Sequence, residues 1–168
     1  MEMAKSGAEL LTEFVVRPIE PGDAPGLMRS HDALSADTRR RRFFSAHPHL
    51  SADEAQHFTN VDHVDREAFV VLVDDQIIAV GRYDRVEPDA AEVAFVVGDA
   101  WQSHGIATML LNRLGERALE VGITRFIADT YGDNQAMLAV FRHWAPERKV
   151  TLDAGFLHVE MVIPHEAQ

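Results

Sequence analysis

The stretch Gly98-Asp99-Ala100-Trp101-Gln102-Ser103-His104-Gly105-Ile106-Ala107 decides how this chain is read. Before it runs Ala91-Glu92-Val93-Ala94-Phe95-Val96-Val97, which alternates as a strand does. After it, Ile106, Leu110, Leu111, Leu114, Ala118 and Val121 recur at helical spacing. A strand therefore enters the stretch and a helix leaves it. The first turn of a helix presents backbone N–H groups without internal partners, and these suit a pyrophosphate. The small residues Gly105 and Ala107 let such a ligand approach the backbone, and Gln102 adds a side-chain donor. The stretch is not a P-loop, because no Lys-Ser/Thr pair follows the glycine. It is not a dinucleotide fingerprint either, because its Gln102–Ala107 turn has one glycine and the stretch follows antiparallel strands. Alone, the same residues also describe an ordinary strand-to-helix turn.

Working outward, Ala68–Val73 reads as a buried strand, Asp74-Asp75 as a turn and Ile77–Tyr83 as the returning strand. A second turn near Pro88-Asp89 leads into Ala91–Val97, so the three strands form an antiparallel meander. Upstream, Phe14–Ile19 reads as a first strand. Asp23 is expected to cap a helix to about Leu34, and Ser35-Ala36-Asp37 to open a short helix reaching Phe43-Phe44. Ser51 with Glu54 forms a capping box for a helix to about Asn60. Downstream, Gly122 ends the long helix, Arg125–Thr130 is a strand, and the strand–helix–strand order predicts a right-handed parallel crossover. Asn134 caps a last helix to Trp144, and Phe156–Ile163 closes as a strand. The expected order is β, α, α, α, β, β, β, α, β, α, β. It fits one domain over residues 12–164 after a flexible tail at 1–11.

Composition narrows the class. The 168 residues are 46% hydrophobic and 26% charged, enough for a core in a soluble chain. No apolar run approaches the roughly 20 residues that span a bilayer, and the first residues lack a long apolar signal segment. The chain has no cysteine, which excludes disulfides and thiolate nucleophiles and points to the cytoplasm. A net charge of −11 argues against a nucleic-acid partner, although Arg39-Arg40-Arg41-Arg42 is a local basic run. That run reads as a solvated helical face paired with acidic neighbours, or as a lip for an acidic protein or a phosphorylated cofactor. His47, His49, His57 and His63 are irregularly spaced and predict no metal site.

In this context the chain resembles the GNAT (Gcn5-related) N-acetyltransferases. Gln102-Ser103-His104-Gly105-Ile106-Ala107 matches their Gln/Arg-x-x-Gly-x-Gly/Ala signature. Asn134 stands where the family has an Asn, and Gly155-Phe156 resembles its Gly-Phe before the last strand. Ser35–Ser45, with Arg42-Phe43-Phe44, is most similar to the catalytic domain of the bacterial Pat-type protein lysine acetyltransferases. The resemblance implies an α/β (α+β) fold with a mixed, mostly antiparallel sheet flanked by helices. A splayed strand pair would form an acetyl-CoA cleft. It implies acetyl-CoA as co-substrate, held by Gln102, Ser103, His104, Gly105, Ile106, Ala107 and Thr108 at the pyrophosphate. Backbone groups of Phe95, Val96 and Val97 would meet the pantetheine amides. Asn134, Met137 and Phe141 would line the arm from the following helix.

Acetylating an amine requires removal of a proton, because ammonium groups dominate at neutral pH. Glu92 is the candidate base. It shares a strand face with Ala94 and Val96, and apolar neighbours there would raise its pKa. The family's usual Tyr acid corresponds to Phe141, which has no hydroxyl; Tyr131 and Tyr83 are the weaker alternatives. With no thiol nucleophile, the expected route is direct attack in a ternary complex. The resemblance points to a protein lysine acceptor, with a small-molecule amine or a non-catalytic acyl-CoA sensor as the other readings. A free-standing catalytic domain, monomeric or homodimeric, with no membrane partner completes the expectation.

Overall fold

The computed structural model describes residues 14–165, so the expected tail at 1–11 lies outside the described residues. The strands are β1 (Val15–Pro18), β2 (Arg66–Val73), β3 (Gln76–Glu87), β4 (Ala90–Val97), β5 (Arg125–Tyr131), β6 (Arg148–Asp153) and β7 (Phe156–Val162). The helices are α1 (Ala24–Asp32), α2 (Ala36–Phe43), α3 (Ala52–Thr59), α4 (Ile106–Glu120) and α5 (Gln135–Trp144). All seven strands join one sheet in the order β1-β2-β3-β4-β5-β7-β6. Every neighbouring pair is antiparallel except β4–β5, which is parallel as the crossover requires.

Local chemistry explains most boundaries. Asp74 and Asp75 both take positive φ (50° and 62°), the backbone that a two-residue hairpin demands, and Asp tolerates it. Ser35 accepts a hydrogen bond from the Thr38 N–H, and Ser51 with Glu54 closes the expected capping box. The helix after Asp23 forms, but its carboxylate does not cap it. Asp23 accepts from both terminal nitrogens of Arg17 at 2.8 Å and from the Glu20 N–H at 2.8 Å. It therefore closes the turn before α1.

Two cores flank the sheet. On one face α4 and α5 cover Tyr83, Val93, Phe95 and Phe126, with Leu110, Leu111 and Leu114 fully buried. Each such leucine contributes about 1.5–3 kcal/mol of transfer free energy. Gly81 makes the approach possible: a Cβ there would lie 3.1 Å from Leu110 Cβ. On the other face α1 and α3 cover Val70, Leu72 and Val80. This second layer stops near β3, leaving the same face of β4, β5 and β7 with exposed Glu92 and Asp129. Strand β6 was not expected. Its residues are all exposed, so no alternation of burial marks Arg148-Lys149-Val150-Thr151-Leu152-Asp153 as a strand. It is held by pairing with β7 alone.

Candidate active site

The site begins where the parallel pair ends. Strands β4 and β5 share the rungs Ala90↔Arg125, Ala91↔Phe126 and Glu92↔Ile127, and none beyond. Past Glu92 they part. The Gly98 N–H donates to the Ile78 carbonyl at 2.7 Å, and Val96 pairs with Val80. Strand alternation then turns the backbone groups of Phe95 and Val97 toward the gap and those of Val96 toward β3. A strand edge exposed in this way can pair with an extended amide-bearing ligand.

Two adjoining cavities occupy the gap. The larger, about 530 Å³, is lined by Phe95, Val96 and Val97, by the Trp101–Thr108 turn except His104, and by Asn134–Met137. Ser103 and Gly105 take positive φ (65° and 79°), which turns the chain sharply into α4. The first N–H groups of α4 thus face the larger cavity, and a Cβ at Gly105 would meet nothing within 4 Å. Gln102 folds back, donating from Nε2 to the Val97 carbonyl at 3.1 Å. His104 is exposed, and its side chain lines neither cavity. Asn134 caps α5 through Met137 N–H at 3.3 Å. These residues fit a long ligand carrying amides and phosphates: an unpaired strand edge for the amides, and a helix start reached through a left-handed turn for the phosphates.

The smaller cavity, about 310 Å³, lies on the Glu92 face. Phe95, Asn134, Met137, Arg41 and Arg42 line both cavities, so they share a wall. Glu92 lines the smaller one but is exposed, so the apolar enclosure expected for its carboxylate is absent. Phe141 is buried with its ring 6.0 Å from that of Phe95. Tyr83 is ruled out as an acid by position. It is fully buried on the opposite face, donates to the Val64 carbonyl at 3.0 Å, and burial pushes its hydroxyl up to about 12. Tyr131 is stacked on Phe156 beneath the Arg40 guanidinium and lines neither cavity.

Helix α2 closes the site from above. Asp99 accepts from the Ser35 N–H at 2.7 Å, the Ser35 hydroxyl at 2.9 Å and the Thr38 hydroxyl at 2.6 Å, tying α2 to the turn. Burial pushes the Asp99 carboxyl up, but the bonds from Thr38 and Ser35 outweigh it and hold it below the usual range. The arginine run divides. Arg40 and Arg41 pair with Asp37, Arg41 also reaches Asp133 across the cleft at 3.2 Å, and Arg42 turns inward onto Phe43. Arg82, Asp84 and Asp129 also line the smaller cavity and were missed from the sequence. The signal was Arg82, a charge inside the apolar strand run Ile77–Tyr83. The four histidines do not converge: His47 pairs with Glu54, His63 with Glu67, and His57 meets Arg66. Among the described residues no three His, Asp or Glu gather as metal ligands, and no helix is long and apolar enough to cross a membrane.

Comparison with known proteins agrees with this geometry. Residues 33–144 match the acetyltransferase (GNAT) family. The chain is 32% identical over 159 residues to acetyltransferase Pat of Mycolicibacterium smegmatis, covering 90% of this chain and 46% of that protein. It thus spans about half the length of that relative. The crystal structure of the GNAT domain of S. lividans PAT superimposes with a TM-score of 0.82 at 34% identity, covering 88% of this chain and 89% of that one. A putative acetyltransferase of Salmonella typhimurium, solved with its cofactor acetyl-CoA, shares the fold alone, with a TM-score of 0.72 at 13% identity over 93% of this chain and 97% of that one. With the signature turn, the three-rung parting and the family match in agreement, the chain belongs to the acetyltransferase (GNAT) family and is Pat-like in sequence and fold.

Proposed function

We propose that the chain binds acetyl-CoA in the larger cavity and transfers its acetyl group to a protein lysine entering the smaller one. The observation that carries this is the shared wall: groups placed in the two cavities meet at Phe95, Asn134 and Met137. Acetyl-CoA supplies an activated thioester. The Gln102–Thr108 turn holds its pyrophosphate, and Phe95 and Val97 pair with its amides. Glu92 accepts the proton that the ammonium must lose, directly or through one water. The freed nitrogen then bonds to the acetyl carbon as the carbon–sulfur bond breaks, and the nitrogen releases its second proton to solvent. The departing sulfur takes its proton from solvent, since no tyrosine hydroxyl lines the shared wall among the described residues.

A lysine acceptor is supported by the resemblance of Ser35–Ser45 to the Pat-type protein lysine acetyltransferases and by Pat-like sequence over 90% of the chain. We read the activity as cytoplasmic, a reading that the cysteine-free composition supports. Phe141 favours a second reading, an acyl-CoA sensor, because it removes the hydroxyl that would serve a leaving thiolate. CoA release measured with a lysine peptide, a folded protein and a polyamine panel separates the two. Turnover on protein or peptide is expected; acetyl-CoA binding without turnover on any acceptor would establish the sensor.

A further inference from the structure

The smaller cavity is lined by charges of both signs: Asp84, Glu92 and Asp129 against Arg41, Arg42 and Arg82. The transfer proposed above uses only a carboxylate. Arg41 is engaged by Asp37 and Asp133, but the other two guanidiniums are under-neutralised. Arg82 rises from the middle of β3 with its side chain 6% exposed. One terminal nitrogen donates to the Phe58 carbonyl at 3.0 Å, and the ring of Phe58 lies 4.5 Å away. Its Nε has no hydrogen-bond partner, and the nearest carboxylate oxygen, on Asp84, is 4.0 Å off. That same Asp84 is already bound by Arg66 at 2.9 Å. Arg42 comes down from α2 and lies 4.6 Å from the Phe43 ring, with the Asp84 carboxylate acting on it through space. Burial pulls both guanidiniums down to about 10, so both remain cations at neutral pH.

Arg82 is buried and Arg42 half-buried beside it, and keeping the Arg82 cation out of water beside a cavity costs free energy unless an anion answers it. Position says which anion. Arg82 pairs across the strands with Ala94, and Asp84 with Glu92, so Arg82 and Glu92 are diagonal neighbours on one face. Such neighbours stand about 7 Å apart at their backbones. We propose that Arg42 and Arg82 form an anion-binding floor that holds a carboxylate carried beside the acceptor amine while Glu92 receives the amine. This rests on reading the smaller cavity as the acceptor site. The carboxylate comes either from an acidic residue next to the acceptor lysine or from the α-carboxylate of a free amino acid.

The test compares kcat/KM, at saturating acetyl-CoA, for a lysine peptide flanked by Glu and the same peptide flanked by Gln, and for free lysine against lysinamide. At least a tenfold preference for the carboxylate member of one pair is expected, and the pair that shows it identifies the source. Arg42→Met should bring that ratio close to one, and Arg42→Lys should keep most of it. Arg82→Lys gives a second measurement that retains the buried cation but removes its planar fork, and it should lower the ratio severalfold. Ratios near one in the unaltered chain would overturn the inference. So would ratios untouched by both the Arg42→Met and Arg82→Lys changes, or a rise in KM for acetyl-CoA with no change in ratio. If nothing turns over, the transferase reading fails, and the floor is judged by peptide binding to the CoA-loaded chain. Tenfold tighter binding of the acidic peptide, lost in Arg42→Met, upholds the floor, and equal affinities sink it.

Discussion

Glu92 and Ile127 are the last residues to face one another before β4 and β5 part. The carboxylate therefore stands at the apex of the cleft, on a backbone fixed by β3 on one side and by β5 on the other. A base gains from such a mounting, because its reach is set by the sheet and not by a loop. Glu92→Gln keeps size and hydrogen bonding but cannot take a proton. We expect kcat at neutral pH to fall about a hundredfold, with acetyl-CoA affinity retained. An undiminished rate would remove Glu92 from the chemistry.

The left-handed backbone at Gly105 leads to a second expectation. A Cβ there meets no atom, so Gly105→Ala does not clash. It strains a φ of 79° by about 1 kcal/mol and puts a methyl group on the surface proposed to hold the phosphates. Calorimetric titration should show acetyl-CoA binding weakened at least fivefold, while the melting temperature falls by only a few degrees. Equal affinity would show that the turn does not hold the pyrophosphate.

Tyr83 tests the assignment of faces. Tyr83→Phe leaves the Val64 carbonyl without its donor, at a cost of about 1 kcal/mol. Its hydroxyl is on the far side of the sheet from Glu92, so turnover should be unchanged once the protein is folded. A large loss of kcat with an intact fold would contradict the geometry.

Acidification should release α2. Because the folded Asp99 carboxyl is held below its ordinary value, its bonds to Ser35 and Thr38 stabilise the fold above about pH 4. That contribution is lost as pH falls through the lowered value. Thermal melts between about pH 5 and 3 should show this loss in the unaltered chain and a shallower one in Asp99→Asn. Identical profiles would show that the clamp does not couple to stability.

Much of this was legible in the sequence because the signals were local. Ser51 with Glu54, the two aspartates of the hairpin and the helical spacing from Ile106 each specify one conformation through near neighbours. The alternation of Glu92, Ala94 and Val96 against Val93, Phe95 and Val97 gave the correct faces of β4. What escaped depends on distant partners. Strand β6 buries nothing and exists only because β7 pairs with it. Asp23 was claimed by Arg17 before it could cap α1. The exposure of Glu92 follows from where the helices of the second layer stop, which no residue near Glu92 records.

The three-rung seam also bears on how the molecule assembles. Strands β2 to β4 are joined by short turns in antiparallel register, whereas β4 and β5 must close the loop over residues 98–124 that contains α4, and β1 the still longer one over residues 19–65, before they pair. Short loops close before long ones, so the meander should gain order first and the β5-β7-β6 sheet should dock onto it later. Pulse-labelled amide exchange during refolding would show protection in β2 and β3 preceding that in β5; simultaneous protection would contradict this order. The active-site cleft would then be the join between an early half and a late half, left open where the join is incomplete.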